Sequence, residues 1–167
     1  MPLRMASKFF SLEVNPEAEY PFGRKGLALV GAWNQLAGPG ISGVLLLDGD
    51  VAIDPLDHRH MLKAIDQEPD VVHTAPVLLW PVSTHLQDWV WGHGSNGRYS
   101  QKDKNADLDM FTFCYTYLPA RLIRSCIEHG MAEWKYPTLD NKVCQEARSI
   151  GMEVRVVRDA RPKHLNY

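Results

Sequence analysis

Apolar and polar positions in this chain fall into blocks. Residues Gly26 to Ala37 are almost wholly apolar, with Asn34 and Gln35 the strongly polar members. That length and the alanines predict a buried helix, stopped by Gly38-Pro39-Gly40. Gly43-Val44-Leu45-Leu46-Leu47 follows as an unbroken apolar run ending in Asp48-Gly49-Asp50. A continuous run of this kind predicts a strand covered on both faces, in the middle of an α/β sheet. Asp54-Pro55 reads as an N-cap with proline at the first helical position, opening a helix to about Gln67. Asp70 to Trp80 reads as a second core strand, so strand, helix and strand alternate. Ahead of these, Lys8 to Val14 reads as a short strand closed by Asn15-Pro16.

The second half begins with Ser83 to Asp109, rich in glycine and polar residues. It reads as a short helix followed by a long loop, the kind of loop that carries function or stays disordered. Asp109 to Tyr117 reads as a strand and Pro119 to His129 as a helix closed by Gly130. Thr138 or Leu139 to Ile150 reads as another helix, closed by Gly151. Glu153 to Val157 is a last strand before the polar, basic tail Arg158 to Tyr167. The expectation is one α/β domain over residues 1–167, a three-layer mixed sheet flanked by helices.

Composition narrows the function classes. With 45% hydrophobic and 23% charged residues, the chain is ordinary globular sequence. Eighteen bases against 20 acids give a net charge of −2, which argues against a dedicated nucleic-acid binder. The charge is unevenly spread. Asp48 to Asp70 is acidic and Lys142 to Lys163 basic, so a tail folded over Asp50 would suit a divalent cation together with a phosphate. No stretch reaches the length of a membrane span. Met1 to Glu13 lacks the apolar core of a signal peptide. Cys114, Cys126 and Cys144 form no C-x-x-C pair, which predicts reduced thiols in a cytoplasm, with no zinc site.

The strongest chemical feature is Asp48-Gly49-Asp50. Two carboxylates sit two residues apart at the carboxyl end of an apolar strand, where open α/β sheets bind ligands. Glycine lets the backbone turn and a ligand approach, and hard oxygen donors suit Mg²⁺ or Mn²⁺. A plain strand-end turn fits the same residues. Trp89 and Trp91 fit either an aromatic acceptor platform or core packing, and Trp134 and Tyr136 carry the same two readings. His58 and His60 point apart on a helix and read as surface residues. Arg24-Lys25 reads as a phosphate contact at a helix N-terminus or as solvated charge.

The order of Asp48-Gly49-Asp50, then Asp140, then Ala147-Arg148-Ser149-Ile150-Gly151, a strand to Val157, and His164 resembles nucleotide-sugar glycosyltransferases of the GT-A fold, family 2-like. The resemblance runs from about Gly26 to the C-terminus. It implies that Asp50, helped by Asp48, holds Mn²⁺ or Mg²⁺ on a sugar-nucleotide diphosphate, with His164 as third protein ligand. Asp140 would be the general base taking the proton of an acceptor hydroxyl in an inverting displacement. Arg158, Arg161 or Lys163 would stabilise the leaving diphosphate. Only 47 residues precede Asp48, fewer than the family's nucleotide-binding half. The resemblance therefore implies either a transferase with a reduced donor pocket or a non-catalytic binding or scaffold protein of the same fold. A nucleotidyltransferase shares the metal carboxylates, but its Gly-rich phosphate loop is not evident. The acceptor stays open among glycan, protein, small molecule and modified nucleic acid.

Overall fold

A computed structural model describes residues 25–76, 78–80, 111, 113–134 and 138–165, with backbone alone at 25, 78–80, 138 and 164. The elements in chain order are α1 (Lys25–Leu36), β1 (Gly43–Leu47), β2 (Val51–Ala52), α2 (Pro55–Gln67), β3 (Val72–Thr74), β4 (Leu78–Trp80), β5 (Tyr115–Pro119), α3 (Ala120–Glu128), a 3-10 turn (Met131–Glu133), α4 (Thr138–Ser149), β6 (Val154–Val156) and β7 (Lys163–Leu165). The expected strands Lys8 to Val14 and the segment Ser83 to Asp109 lie outside the described residues.

The main sheet has the order β1-β5-β3-β6 and is mixed. β5 runs antiparallel to both β1 and β3, whereas β6 runs parallel to β3. It follows that β1, β3 and β6 point the same way and their carboxyl ends share one edge. A small second sheet, β2-β7-β4, lies beyond that edge. Among the described residues no helix is long and apolar enough to cross a membrane.

Helices cover both faces, which explains the unbroken apolar run of β1. Val44 and Leu46 pack into a first core with Trp33 of α1, Leu122 and Ile123 of α3, and Leu139, Val143 and Ala147 of α4. Leu45, between them, packs into a second core with Met61 and Ile65 of α2, Tyr115 and Tyr117 of β5, and Val157 and Ala160. Successive strand side chains point to opposite faces, so Val44, Leu45 and Leu46 each meet an apolar layer.

The start of α2 follows its sequence closely. The Asp54 side chain accepts hydrogen bonds from the backbone N–H groups of Leu56 (2.7 Å) and Asp57 (2.9 Å). Asp57 reaches back to the Asp54 N–H, completing a capping box behind Pro55. At the other end of the chain, Gly151 (φ 64°) closes α4. Met152 N–H donates to Ala147 O (2.7 Å) and Gly151 N–H to Arg148 O (3.0 Å), the pairing of a Schellman motif.

Several expectations are corrected. β1 is terminal in the described sheet order rather than central, is only half-buried, and leaves Leu47 46% exposed. α1 is half-buried rather than buried, with Trp33 inward and Leu27 exposed. The single strand expected over Asp70 to Trp80 is two short ones in different sheets. Ala75 N–H still donates to Tyr115 O (3.1 Å), but Pro76 has no N–H to continue the pairing on the β6 side, where Val72 N–H donates to Glu153 O (3.0 Å). Of the strand expected over Asp109 to Tyr117, the described Phe111, Phe113 and Cys114 are not extended in the sheet, and β5 is Tyr115–Pro119. The polar tail contains a strand, β7, that its composition does not announce.

Gly43 sets where β1 lies on β5. It pairs with Pro119, and a Cβ there would meet the backbone O of Leu118 and stand 2.6 Å from the Tyr117 ring and hydroxyl. That ring is itself held, because Tyr117 Oη–H donates to Pro69 O (3.0 Å). A side chain at 43 therefore has nowhere to go.

Candidate functional site

The acidic pair occupies a tight turn at the carboxyl edge. Asp48 N–H donates to Cys114 O (3.0 Å), which extends the β1–β5 ladder by one step. Val51 N–H then returns to Asp48 O (3.1 Å), so Asp48 to Val51 form a β-turn with Gly49 and Asp50 at its centre. Asp48 and Asp50 are both half-buried. Gly49 does not use a left-handed backbone conformation, and a Cβ on it would meet nothing within 4 Å. The turn thus does not demand glycine for its geometry, contrary to expectation, and space is open in front of residue 49.

The end of the chain returns to this turn. β7 pairs antiparallel with β2, His164 opposite Val51 and Lys163 opposite Ala52. Leu165 N–H donates to Asp50 O (2.7 Å). The backbone of His164 is thereby one residue from Asp50 in the cross-strand register; its side chain lies outside the described residues. On its other side β7 runs parallel to β4.

The returning segment is tied down by contacts far apart in sequence. Ala160 is fully buried against the second core, and Pro162 is buried as well. Between them, Arg161 N–H donates to Asp57 Oδ1 (2.8 Å) across 104 residues. Asp57 is only 8% exposed, and its Oδ2 accepts from Asp54 N–H. One carboxylate therefore starts α2 and holds the tail. The sequence signal for the first role was the acid three residues after Asp54. The second role has no local signal.

Electrostatics follow from these contacts. The Asp54 carboxyl is held below its ordinary value, first by the N–H of Asp57, then by that of Leu56, with Lys163 and Arg59 adding attraction. Tyr115 lies opposite Leu47, beside the turn. Burial first, and the Asp57 charge second, push its phenol well up, so it stays protonated. Tyr115 Oη is 2.8 Å from His58 Nδ1. His58 is accordingly a half-buried partner of β5 and not the surface residue expected.

Asp140 lies in the first turn of α4 and is half-buried. α4 packs on the sheet and turns tightly through Gly151 into β6, so it runs opposite to β6. Its N-terminus, with Asp140, therefore stands at the same edge as Asp48 and Asp50. The acid suits the positive end of the helix, as Arg148 suits its last turn. The thiol of Cys144, one turn on from Asp140, is pushed up to about 12 by burial, with the Asp140 charge a smaller upward influence.

The other expected residues divide. Arg158, Arg161 and Lys163 flank the tail segment and are exposed. Trp134 is 8% exposed and belongs to the first core, with Lys142 Nζ 5.5 Å from the ring centroid. Its ring is used in packing, one of the two readings its sequence allowed. Arg24, Trp89, Trp91, Tyr136 and the Lys25 side chain lie outside the described residues.

The two carboxylates of the turn are hard oxygen donors, and that chemistry fits a divalent cation that takes its remaining ligands from water and phosphate. Among the described side chains, no three of His, Cys, Asp and Glu come together as a metal site. No model of a known protein family matches the chain, and no curated protein matches it.

Proposed function

We propose that the protein is a metal-dependent glycosyltransferase that moves a sugar from a nucleotide diphosphate to an acceptor hydroxyl. The observation that carries the reading is the pairing of the tail with the acidic turn, through Leu165 N–H on Asp50 O at 2.7 Å and His164 opposite Val51. It brings an acidic pair, the backbone of a histidine and a lysine to one sheet edge.

In this reading Asp48 and Asp50, with His164, hold Mn²⁺ or Mg²⁺. When bound, the ion neutralises charge on the departing diphosphate. Lys163 and Arg161 supply further positive charge to the same phosphates. Asp140, in the first turn of α4, accepts the proton of the acceptor hydroxyl. The division is physically consistent, because the cationic groups attend the leaving group while a separate carboxylate activates the nucleophile.

The test is calorimetry with Mn²⁺ and uridine diphosphate, extended to other nucleoside diphosphates. Wild type is expected to bind one of them only with metal, and Asp50→Ala to lose that binding. Asp140→Asn is expected to keep binding and lose transfer. Absence of metal-dependent binding by wild type across the panel would favour the non-catalytic scaffold instead. Full transfer by Asp140→Asn would remove that residue from the role of base.

A further inference from the structure

We infer that Asp57 is a positioning residue: its buried carboxylate latches the C-terminal segment over the acidic turn. Three observations meet here. Asp57 Oδ1 accepts from Arg161 N–H at 2.8 Å, between the buried Ala160 and Pro162. The strand that follows at once, β7, is the one that pairs with β2 and donates to Asp50 O. The same carboxylate is fixed in direction from behind, because its Oδ2 accepts from Asp54 N–H and its helix begins at Pro55.

The geometry gives the latch a physical logic. β7 is three residues long and pairs with strands of two and three residues, so its own ladder is too short to be robust. A hydrogen bond to a carboxylate is stronger than one to a neutral acceptor. Without Asp57, the part-buried Arg161 N–H between Ala160 and Pro162 would lose this acceptor, and the segment would lift to pair it with water. The latch itself stands independently of the proposed chemistry. Its link to nucleotide binding rests on that proposal.

Hydrogen exchange on the full chain tests it, with Asp54→Ala as the comparison. Both Asp54→Ala and Asp57→Ala break the capping box, but only the second removes the acceptor for Arg161. In Asp57→Ala the Leu165 amide is expected to lose protection by about tenfold or more, while the amides of β5 keep theirs. In Asp54→Ala the loss is expected at Leu56 and Asp57 and not at Leu165. If Asp57→Ala fails to fold, Asp57→Leu, which fills the space without an acceptor, is read the same way. Unchanged protection at Leu165, or an equal loss in Asp54→Ala, overturns the latch. The second arm is Mn²⁺-dependent uridine diphosphate binding, expected to weaken about tenfold in Asp57→Ala and much less in Asp54→Ala. Equal weakening in both overturns the positioning role. If wild type binds no nucleotide, the proposed function fails while the exchange arm still decides the latch.

Discussion

The two faces of the main sheet are built differently. On the face of α1, α3 and α4 the core is almost purely apolar, with Leu122, Val143 and Met131 fully buried. Its polar contacts include the pair Thr74 and Thr116, whose hydroxyl oxygens lie 2.7 Å apart, and the Ser125 hydroxyl on the Glu146 carboxylate between α3 and α4. On the face of α2, the core residues carry polar ends. Tyr115 meets His58, Tyr117 meets Pro69 O, and the buried carboxylate of Asp57 meets the tail. Apolar burial is non-directional, so the first face can hold the fold while specifying few positions. Hydrogen bonds are directional, and the second face uses them to aim the segments at the acidic turn. Stability and positioning are thus assigned to opposite sides of one sheet.

The largest effect expected on that division comes from the apolar side. Leu122→Ala removes a fully buried side chain and is expected to cost about 2–5 kcal/mol in urea unfolding. The loss should appear equally in probes of both faces. A smaller effect is expected from Gly43→Ala, about 1–3 kcal/mol, because the new methyl group meets a backbone oxygen and a held ring. An unchanged urea midpoint would mean that β1 can shift on β5 at no cost.

The polar side is sharpened by pH. His73 is 1% exposed, on β3. Its Nε2 lies 2.9 Å from Glu68 O, which can only accept, so Nε2 carries the hydrogen. Nδ1 has no hydrogen-bond partner among the described residues. Burial chiefly, with Arg155 adding a little, holds the imidazole below its ordinary value of 6.5, although the Glu68 carbonyl and carboxylate pull the other way. The unfolded chain therefore takes up the proton first. The resulting stability is full above about pH 6.5 and is lost as the pH falls below it. Melting temperatures of wild type minus His73→Gln, measured from pH 8 to 5, should narrow toward acid. A constant difference would mean that His73 is not buried in its neutral form.

The smallest effect leaves stability untouched. Cys126 and Cys144 are buried, and burial pushes both thiols up to about 12. Cys114 is half-exposed. Under native conditions a thiol reagent should label Cys114 first, and the other two only on unfolding. Prompt labelling of all three would show that the apolar side opens locally.

Legibility in the sequence followed the same division. The helix opened by Asp54-Pro55 and the stop at Gly151 were readable, because capping is written in adjacent residues. The run before Asp48 was readable as a strand, because covering both faces demands unbroken apolarity. Its rank in the sheet was not, since neighbours in a sheet are set by chain segments far apart. Pro76 was present as a breaker inside the Asp70 to Trp80 run, and the apolar residues on either side concealed it. Asp48 and Asp50 stood out as paired charge at a strand end. Asp57 did not, because its capping role accounts for it fully until the chain returns from 104 residues away. β7 was hidden for a related reason. A short strand whose partners are equally short needs little apolar sequence of its own.

Gly43 has one more consequence. β1 is a five-residue ruler with this glycine at one end and Asp48 just past the other, about 16 Å away at strand spacing. Whatever seats the lower end against Tyr117 also decides how far the acidic pair projects above the sheet. A substitution at the foot of the strand would raise, lower or tilt the carboxylates without touching them, so the height of the pair can be tuned from the far end of the strand.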